Sequence, residues 1–234
     1  MLPKINNEPL FEEIIPSSKK KIQFRPFLSK EHRNLLIAKA SDNPVERLNS
    51  VKQIVSVCVQ EKLDIDSLPQ VDLEYLFLKI RSKSVNNIVE AAFRDKEDNQ
   101  IYKFEINLDE LEVVTIEDHT NKIQIEEGLG LVMKYPTVKI IEHLKGDNEV
   151  DLSFDLIRNC IDVVYTADEV YVFAENSLEE QEEFIGNLSV ATFDQITEFF
   201  LTMPRLQHNL EYTNRNGKKE IITLKGLDDF FIWG

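Results

Sequence analysis

Glycine is scarce in this chain, with 7 in 234 residues, less than half the usual share of about 7%. Phosphate-cradling loops and nucleophile elbows need glycines at fixed offsets, and the one close pair is Gly128 and Gly130. Cysteine is nearly absent: Cys58 and Cys160 each sit inside an apolar helical pattern. Such cysteines read as small buried hydrophobes in a reducing compartment, not as a disulfide. His32, His119, His143 and His208 are scattered, none with a Cys or His three to five residues away, so zinc-ligand spacing is lacking. Asp64-Ile65-Asp66 and the stretch from Asp147 to Asp151 lack the glycine and closing glutamate of a calcium loop. No window nears the roughly eighteen apolar residues of a membrane span, and no apolar signal-peptide core opens the chain, so export by that route is not expected. Nothing assembles a nucleophile, a base and an oxyanion site. The expectation is a protein that is not an enzyme and carries no cofactor and no metal.

What is present is charge, unevenly placed. The net charge is -15. Residues 1–105 hold 17 Lys+Arg against 16 Asp+Glu, whereas residues 106–234 hold 10 against 26. An acidic body repels nucleic acid and anionic lipid, because phosphate neutralisation drives such binding. A protein partner with a basic surface fits better, as does an assembly that buries the near-neutral half. The run Glu179-Glu180-Gln181-Glu182-Glu183 opens a helix and reads as dipole compensation on a solvated face.

Prolines and apolar anchors alternate along the first 28 residues, through Ile5, Phe11, Ile15-Pro16, Lys19-Lys20-Lys21 and Phe24-Arg25-Pro26-Phe27. Each proline fixes φ and removes a donor, so no regular helix can hold this segment. It reads as an extended arm that either folds back or docks on a partner. Deleting residues 1–21 is then expected to spare the folding of the helical core yet abolish binding to partners.

Beyond the arm, apolar spacing of three and four predicts helices over 30–40, 44–59 and 71–81. The period then changes to two, with a hairpin over 88–93 and 101–107 across the polar loop Asp95–Asn99. Short strands follow at 113–114, 122–125 and 129–133. Helices resume at 138–145, 152–163, 178–188 and 193–203, with a short strand within 165–173, and a last hairpin pairs 206–212 with 220–224. The fold class is α+β: an arm at 1–28, a helical domain at 29–85, an antiparallel β insertion at 86–135, and at 136–234 a helical region with a C-terminal hairpin and an aromatic tail. That tail, Phe230-Phe231-Ile232-Trp233, either tucks into its own domain or anchors in a neighbour's pocket. Candidate partner-binding residues are therefore Ile5, Phe11, Ile15, Phe24, Arg25 and Phe27 of the arm, Tyr75 and Arg81 of the third helix, and Phe230, Phe231 and Trp233 of the tail.

Several separated segments together resemble a known family. They are Leu2-Pro3-Lys4-Ile5, Ile15-Pro16-Ser17, the run from Ile22 to Phe27, the run from Asp72 to Val85, Met133-Lys134-Tyr135-Pro136-Thr137, Met203-Pro204-Arg205-Leu206 and the run from Leu224 to Phe231. The chain resembles the base plate hub proteins of T-even-type, contractile-tailed bacteriophages. The resemblance implies a hub subunit or a factor that helps the hub and tape-measure complex assemble, with other tail and base plate proteins as partners and a homo-oligomer left open. It implies host cytoplasm during assembly and leaves the virion tail base plate open as the final location. A transient tape-measure chaperone and a small tail enzyme are the alternatives. In the family it resembles, some members carry cysteine pairs in the hairpins; Asp95–Asn99 and Asn214–Asn216 stand there in this chain, so the resemblance implies no zinc ribbon.

Overall fold

A computed structural model describes residues 9–40 and 43–231. The chain divides into two compact units, residues 1–114 with 205–234, and residues 115–204.

The first unit opens with two short antiparallel strands, β1 (Phe11–Ile14) and β2 (Lys21–Phe24). Lys19 takes a positive φ of 56° in the turn between them, and the Ile15 N–H donates to the Lys20 carbonyl at 2.9 Å. The arm is thus a hairpin, and alternation buries Ile22 and Phe24 while Lys21 and Gln23 stay exposed. Helix α1 (Ser29–Ala40) follows, then α2 (Pro44–Cys58), where Asn43 caps by accepting the Val45 N–H and Pro44 takes the first helical position. Val51, Ile54, Val55 and Cys58 form the buried stripe of α2; Val57, which the sequence pattern adds to it, is exposed. Helix α3 (Gln70–Ser84) packs on α2 and buries Leu73, Leu76, Phe77, Leu78 and Ile80. Strands β3 (Ile88–Arg94) and β4 (Ile101–Asn107) make the expected hairpin, and β5 (Val113–Val114) ends this stretch.

The second unit is built on a four-stranded antiparallel sheet in the order β6-β7-β8-β9. Its strands are β6 (Lys122–Glu126), β7 (Leu129–Met133), β8 (Ile161–Tyr165) and β9 (Val170–Val172). The helices are α4 (Val138–Glu142), α5 (Glu149–Cys160), α6 (Leu178–Gly186) and α7 (Val190–Thr202). Helix α5 starts earlier than its apolar pattern suggests, because Asn148 accepts the Val150 and Asp151 N–H groups as its cap. It also stops at Cys160: residues 161–163, apolar enough to extend the helical reading, form strand β8 instead. Ser177 and Glu180 form a capping box on α6, and Ser189 caps α7 by accepting the Thr192 N–H, so the helix begins before the 193 expected from the sequence. The core joins Leu131, Met133, Ile157, Cys160, Ile161, Phe173, Ile185, Ile196 and Phe199. The close glycine pair serves this sheet: Gly128 takes φ 79° in the β6–β7 turn, and a Cβ on Gly130 would lie 2.8 Å from the Ile123 carbonyl oxygen.

Residues 205–231 return to the first unit. Strand β10 (Arg205–Thr213) pairs with both β5 and β11 (Lys219–Lys225), and α8 (Gly226–Phe231) follows. The fold is α+β with antiparallel sheets, as the sequence suggests. Strands of the stretch 86–135 are shared between the units, with β3–β5 in the first and β6–β7 in the second.

Candidate interaction surfaces

In the first unit the hairpin is fixed to its own helices. Its backbone joins the end of α2: the Arg25 N–H donates to the Cys58 carbonyl at 2.9 Å and the Gln60 N–H to the Gln23 carbonyl at 2.8 Å. Ser17 donates both its N–H, at 3.1 Å, and its hydroxyl to the Asp72 carboxyl of α3. Asp72 is fully buried, and burial raises its pKa against the opposing pull of the Ser17 bonds. Its place in the first helical turn suits the helix dipole, but here it also clasps the hairpin.

Further along α3 the Tyr75 hydroxyl donates to Glu13 of β1 at 3.1 Å, and burial next to that carboxylate raises the tyrosine pKa. The Lys79 ammonium lies 5.2 Å from the Tyr75 ring centroid and donates to the carbonyls of Leu108 and Asp109 at 3.4 and 2.7 Å. Burial pulls its pKa down. Arg25 donates to the Pro26 carbonyl at 2.8 Å and to Glu31 at 3.3 Å. Burial pushes Glu31 up, yet the Leu28 N–H and Arg25 win and hold it below the usual carboxylate range.

The candidate residues therefore fall into distinct places. Ile15, Phe24 and Phe27 are buried in their own unit, as is Arg25. Phe11 is half-buried, stacked on Phe24 with ring centroids 5.8 Å apart, and Lys83 lies 5.8 Å above its face. Tyr75 and Arg81 are half-buried on α3, with the Arg81 Nη1 lacking a hydrogen-bond partner among the described residues. Phe230 and Phe231 belong to α8, but their side chains, like all of Ile5 and Trp233, lie outside the described residues. Removing residues 1–21 would strip away buried Ile15 and the Ser17 bonds to Asp72, contacts that the sequence-based expectation of a dispensable arm does not include.

Two hairpin tips of the same unit also meet. The Tyr212 hydroxyl donates to Asp95 at 2.6 Å, the Arg215 N–H to Asp98 at 2.9 Å, and Lys218 pairs with Glu97 at 2.6 Å. The Tyr102 and Tyr212 rings lie 4.5 Å apart beneath them. Hydrogen bonds and an ion pair thus join the two tips.

Chemistry of another kind gathers in the second unit. Thr202 donates its hydroxyl to the Glu198 carbonyl at 2.6 Å, which leaves its oxygen to accept from His119 Nδ1 at 3.0 Å. His119 Nε2 then accepts from the Tyr135 hydroxyl at 3.0 Å. Burial lowers the His119 pKa and raises that of Tyr135, so the pair is neutral and packed on Phe199. Cys58 is buried, and burial pushes the Cys160 thiol up to about 12, so neither supplies a ready thiolate. No group of three His, Cys, Asp or Glu residues that could hold a metal occurs among the described residues. Among them, too, no helix is long and apolar enough to cross a membrane.

Exposed apolar side chains are the remaining feature. A cleft of about 480 Å³ between α5 and α6 is lined by Phe154, Leu178 and Ile185 together with Lys145, Asp155 and Arg158. At the sheet edge all three residues of β9 are exposed, Val170 at 68%, Tyr171 at 45% and Val172 at 44%. The sequence pattern predicts a strand within 165–173 but not its exposure. The available signal was a β-branched and aromatic triplet flanked by Asp168-Glu169 and Glu175.

The family model described as T4 bacteriophage base plate protein matches residues 8–232. No curated protein and no solved structure matches the chain. A match across nearly all of both units settles membership: the chain belongs to the T4 bacteriophage base plate protein family, whose members work in the phage tail against other tail and base plate proteins.

Proposed function

We propose that the chain is a base plate hub subunit or hub-assembly protein that acts by binding other tail proteins and not by catalysis. The family match over residues 8–232 carries this reading. Its chemistry agrees: the polar side chains of the first unit are engaged in holding its hairpins, and both cysteines are buried. Partners are the hub and the tape-measure complex, met in the host cytoplasm while the tail is built.

Quantitative mass spectrometry of purified particles, beside affinity capture from infected cells, tests the proposal. A hub subunit is present at a fixed copy number in particles. An assembly factor is captured with hub or tape-measure proteins from infected cells and is missing from finished particles, which is also the outcome for a transient chaperone. Absence from particles together with capture of no tail protein would overturn the proposal.

A further inference from the structure

The edge strand β9 has a geometry and an electrostatic setting that together define an occupant. The Thr166 N–H donates to the Glu169 carbonyl at 2.8 Å, closing the β8–β9 turn with a hydrogen-bonded pair. By antiparallel alternation the next pairs, Tyr165 with Val170 and Val163 with Val172, are non-hydrogen-bonded. The backbone groups of Val170 and Val172 therefore point away from β8. The Asn176 amide takes the Val172 carbonyl at 3.0 Å, which leaves the Val170 N–H and C=O and the Val172 N–H to pair outward.

This edge is held in shape from behind. Phe173 is buried against Phe184, and the Gln181 amide, itself buried, donates to the Phe173 and Asn176 carbonyls at 3.2 and 2.8 Å. A rigid open edge with exposed β-branched side chains is a template for strand addition. The stretch of chain that carries it bears one sign of charge, and the cations Lys134 and Arg158 on neighbouring elements are paired with Asp162 and Asp155. From residue 159 to residue 204 there are ten Asp and Glu and not one Lys, Arg or His. Asp168 and Glu175 flank the strand, both exposed. A second copy would bring the same acidic charge to the same edge and be repelled.

We propose that β9 is the docking edge for an extended, basic strand of another tail protein, which pairs with the outward backbone of Val170 and Val172 and sets its cations among the acidic residues of the second unit. This rests on the base plate reading and supplies the chemistry of one partner.

The test uses the purified full chain and three peptides: a lysine–valine alternating heptapeptide, its glutamate–valine counterpart, and a lysine–proline heptapeptide of equal positive charge that cannot add as a strand. The lysine–valine peptide is expected to bind at least tenfold more tightly than either other, with amide shifts centred on Val170 and Val172. Val170→Pro removes an outward donor without touching the β8 ladder and is expected to weaken binding at least tenfold at an unchanged unfolding midpoint. Val170→Lys, which keeps the donor and adds a repelling cation, is read the same way should the proline variant unfold. Equal binding of the lysine–proline peptide, shifts centred elsewhere, or full binding by a folded Val170 variant would overturn the proposal. So would a self-association that Val170→Pro abolishes, since the occupant would then be a second copy. Because the peptides are measured on the isolated chain, failure here leaves the particle measurement of base plate function untouched.

Discussion

The two units handle charge in opposite ways. Residues 115–204 hold 5 Lys+Arg against 19 Asp+Glu, a net of -14, while the rest of the chain is nearly neutral. Yet every buried charged side chain among the described residues lies in the near-neutral unit: Arg25, Glu31, Asp72, Lys79 and Asp95. The buried polar residues of the acidic unit, Gln181 and Thr192, are uncharged. Burying a charge is tolerated only where partners replace water, and the first unit provides them through its hairpins. Charge left on a surface keeps its full field. One unit uses charge to hold itself together, and the other presents it outward.

The comparison breaks most directly through the cores. Phe24→Ala in the first unit and Phe199→Ala in the second each remove a fully buried ring, at an expected cost of about 3–5 kcal/mol. Amide hydrogen exchange should show each loss confined to the amides of its own unit. A uniform loss in both after either substitution would show that compactness does not divide the chain into separately stabilised parts.

Next in size is the clasp at Asp72. Asp72→Ala removes the buried carboxyl that accepts both Ser17 bonds and is expected to cost about 1–3 kcal/mol. Asp72→Asn keeps an acceptor and deletes the charge that burial resists, so its cost should be the smaller. The sign follows from the raised pKa: the folded state holds this proton more tightly than the unfolded one, so the contribution of Asp72 falls as pH rises past the ordinary carboxylate value. Thermal unfolding of both variants at two pH values checks the order and the sign. Asn costing as much as Ala would mean that the charge itself is needed.

Why the sequence yields the elements but not their use is visible in these residues. Period-3.6 stripes and caps such as Asn43-Pro44 mark helices locally, and the hairpin at 88–107 alternates cleanly, so those elements are legible. The hairpin at 11–24 is harder, since strands of four residues around Pro16 alternate over too short a run to stand out. Its burial depends on Asp72 and Val59, dozens of residues away. Strand β8 reads as helix because a short apolar run bounded by no breaker fits either state. Among the candidate contact residues, Ile15, Phe24 and Phe27 stand out in the sequence as large apolar anchors in a proline-broken arm. The same property makes them core once the arm finds its own helices. The exposure of edge strand β9 belongs to the sheet order, which no local pattern states.

Salt offers a gentler probe of the same contrast. Screening weakens like-charge repulsion across the acidic unit, so raising salt from about 0.01 M to about 0.5 M, where the Debye length falls well below 10 Å, is expected to protect the amides of residues 115–204 more than those of the first unit. In the first unit the Arg25–Glu31 pair is buried and screened little. Equal gains in both would assign the effect to general salting-out.

The smallest expected effect belongs to the hairpin latch, and its value lies in its pH dependence. Hydrogen bonding from Tyr212 holds the Asp95 pKa below its ordinary range and pushes the tyrosine up to about 12. A carboxyl with a depressed folded pKa contributes stability above its unfolded value and loses that contribution as pH falls through the folded one. Tyr212→Phe should therefore lower the unfolding midpoint of the first unit slightly near pH 7 and converge with the parent protein as pH falls well below the ordinary carboxylate value. The Tyr102 ring still packs at that position in the variant, so apolar contact is kept and only the hydrogen bond is removed. A midpoint shift that persists unchanged in acid would mean that the ring contact was disturbed after all. Convergence would identify the latch as one more charge that the near-neutral unit ties down within itself, while the acidic unit leaves Asp168 and Glu175 exposed beside β9.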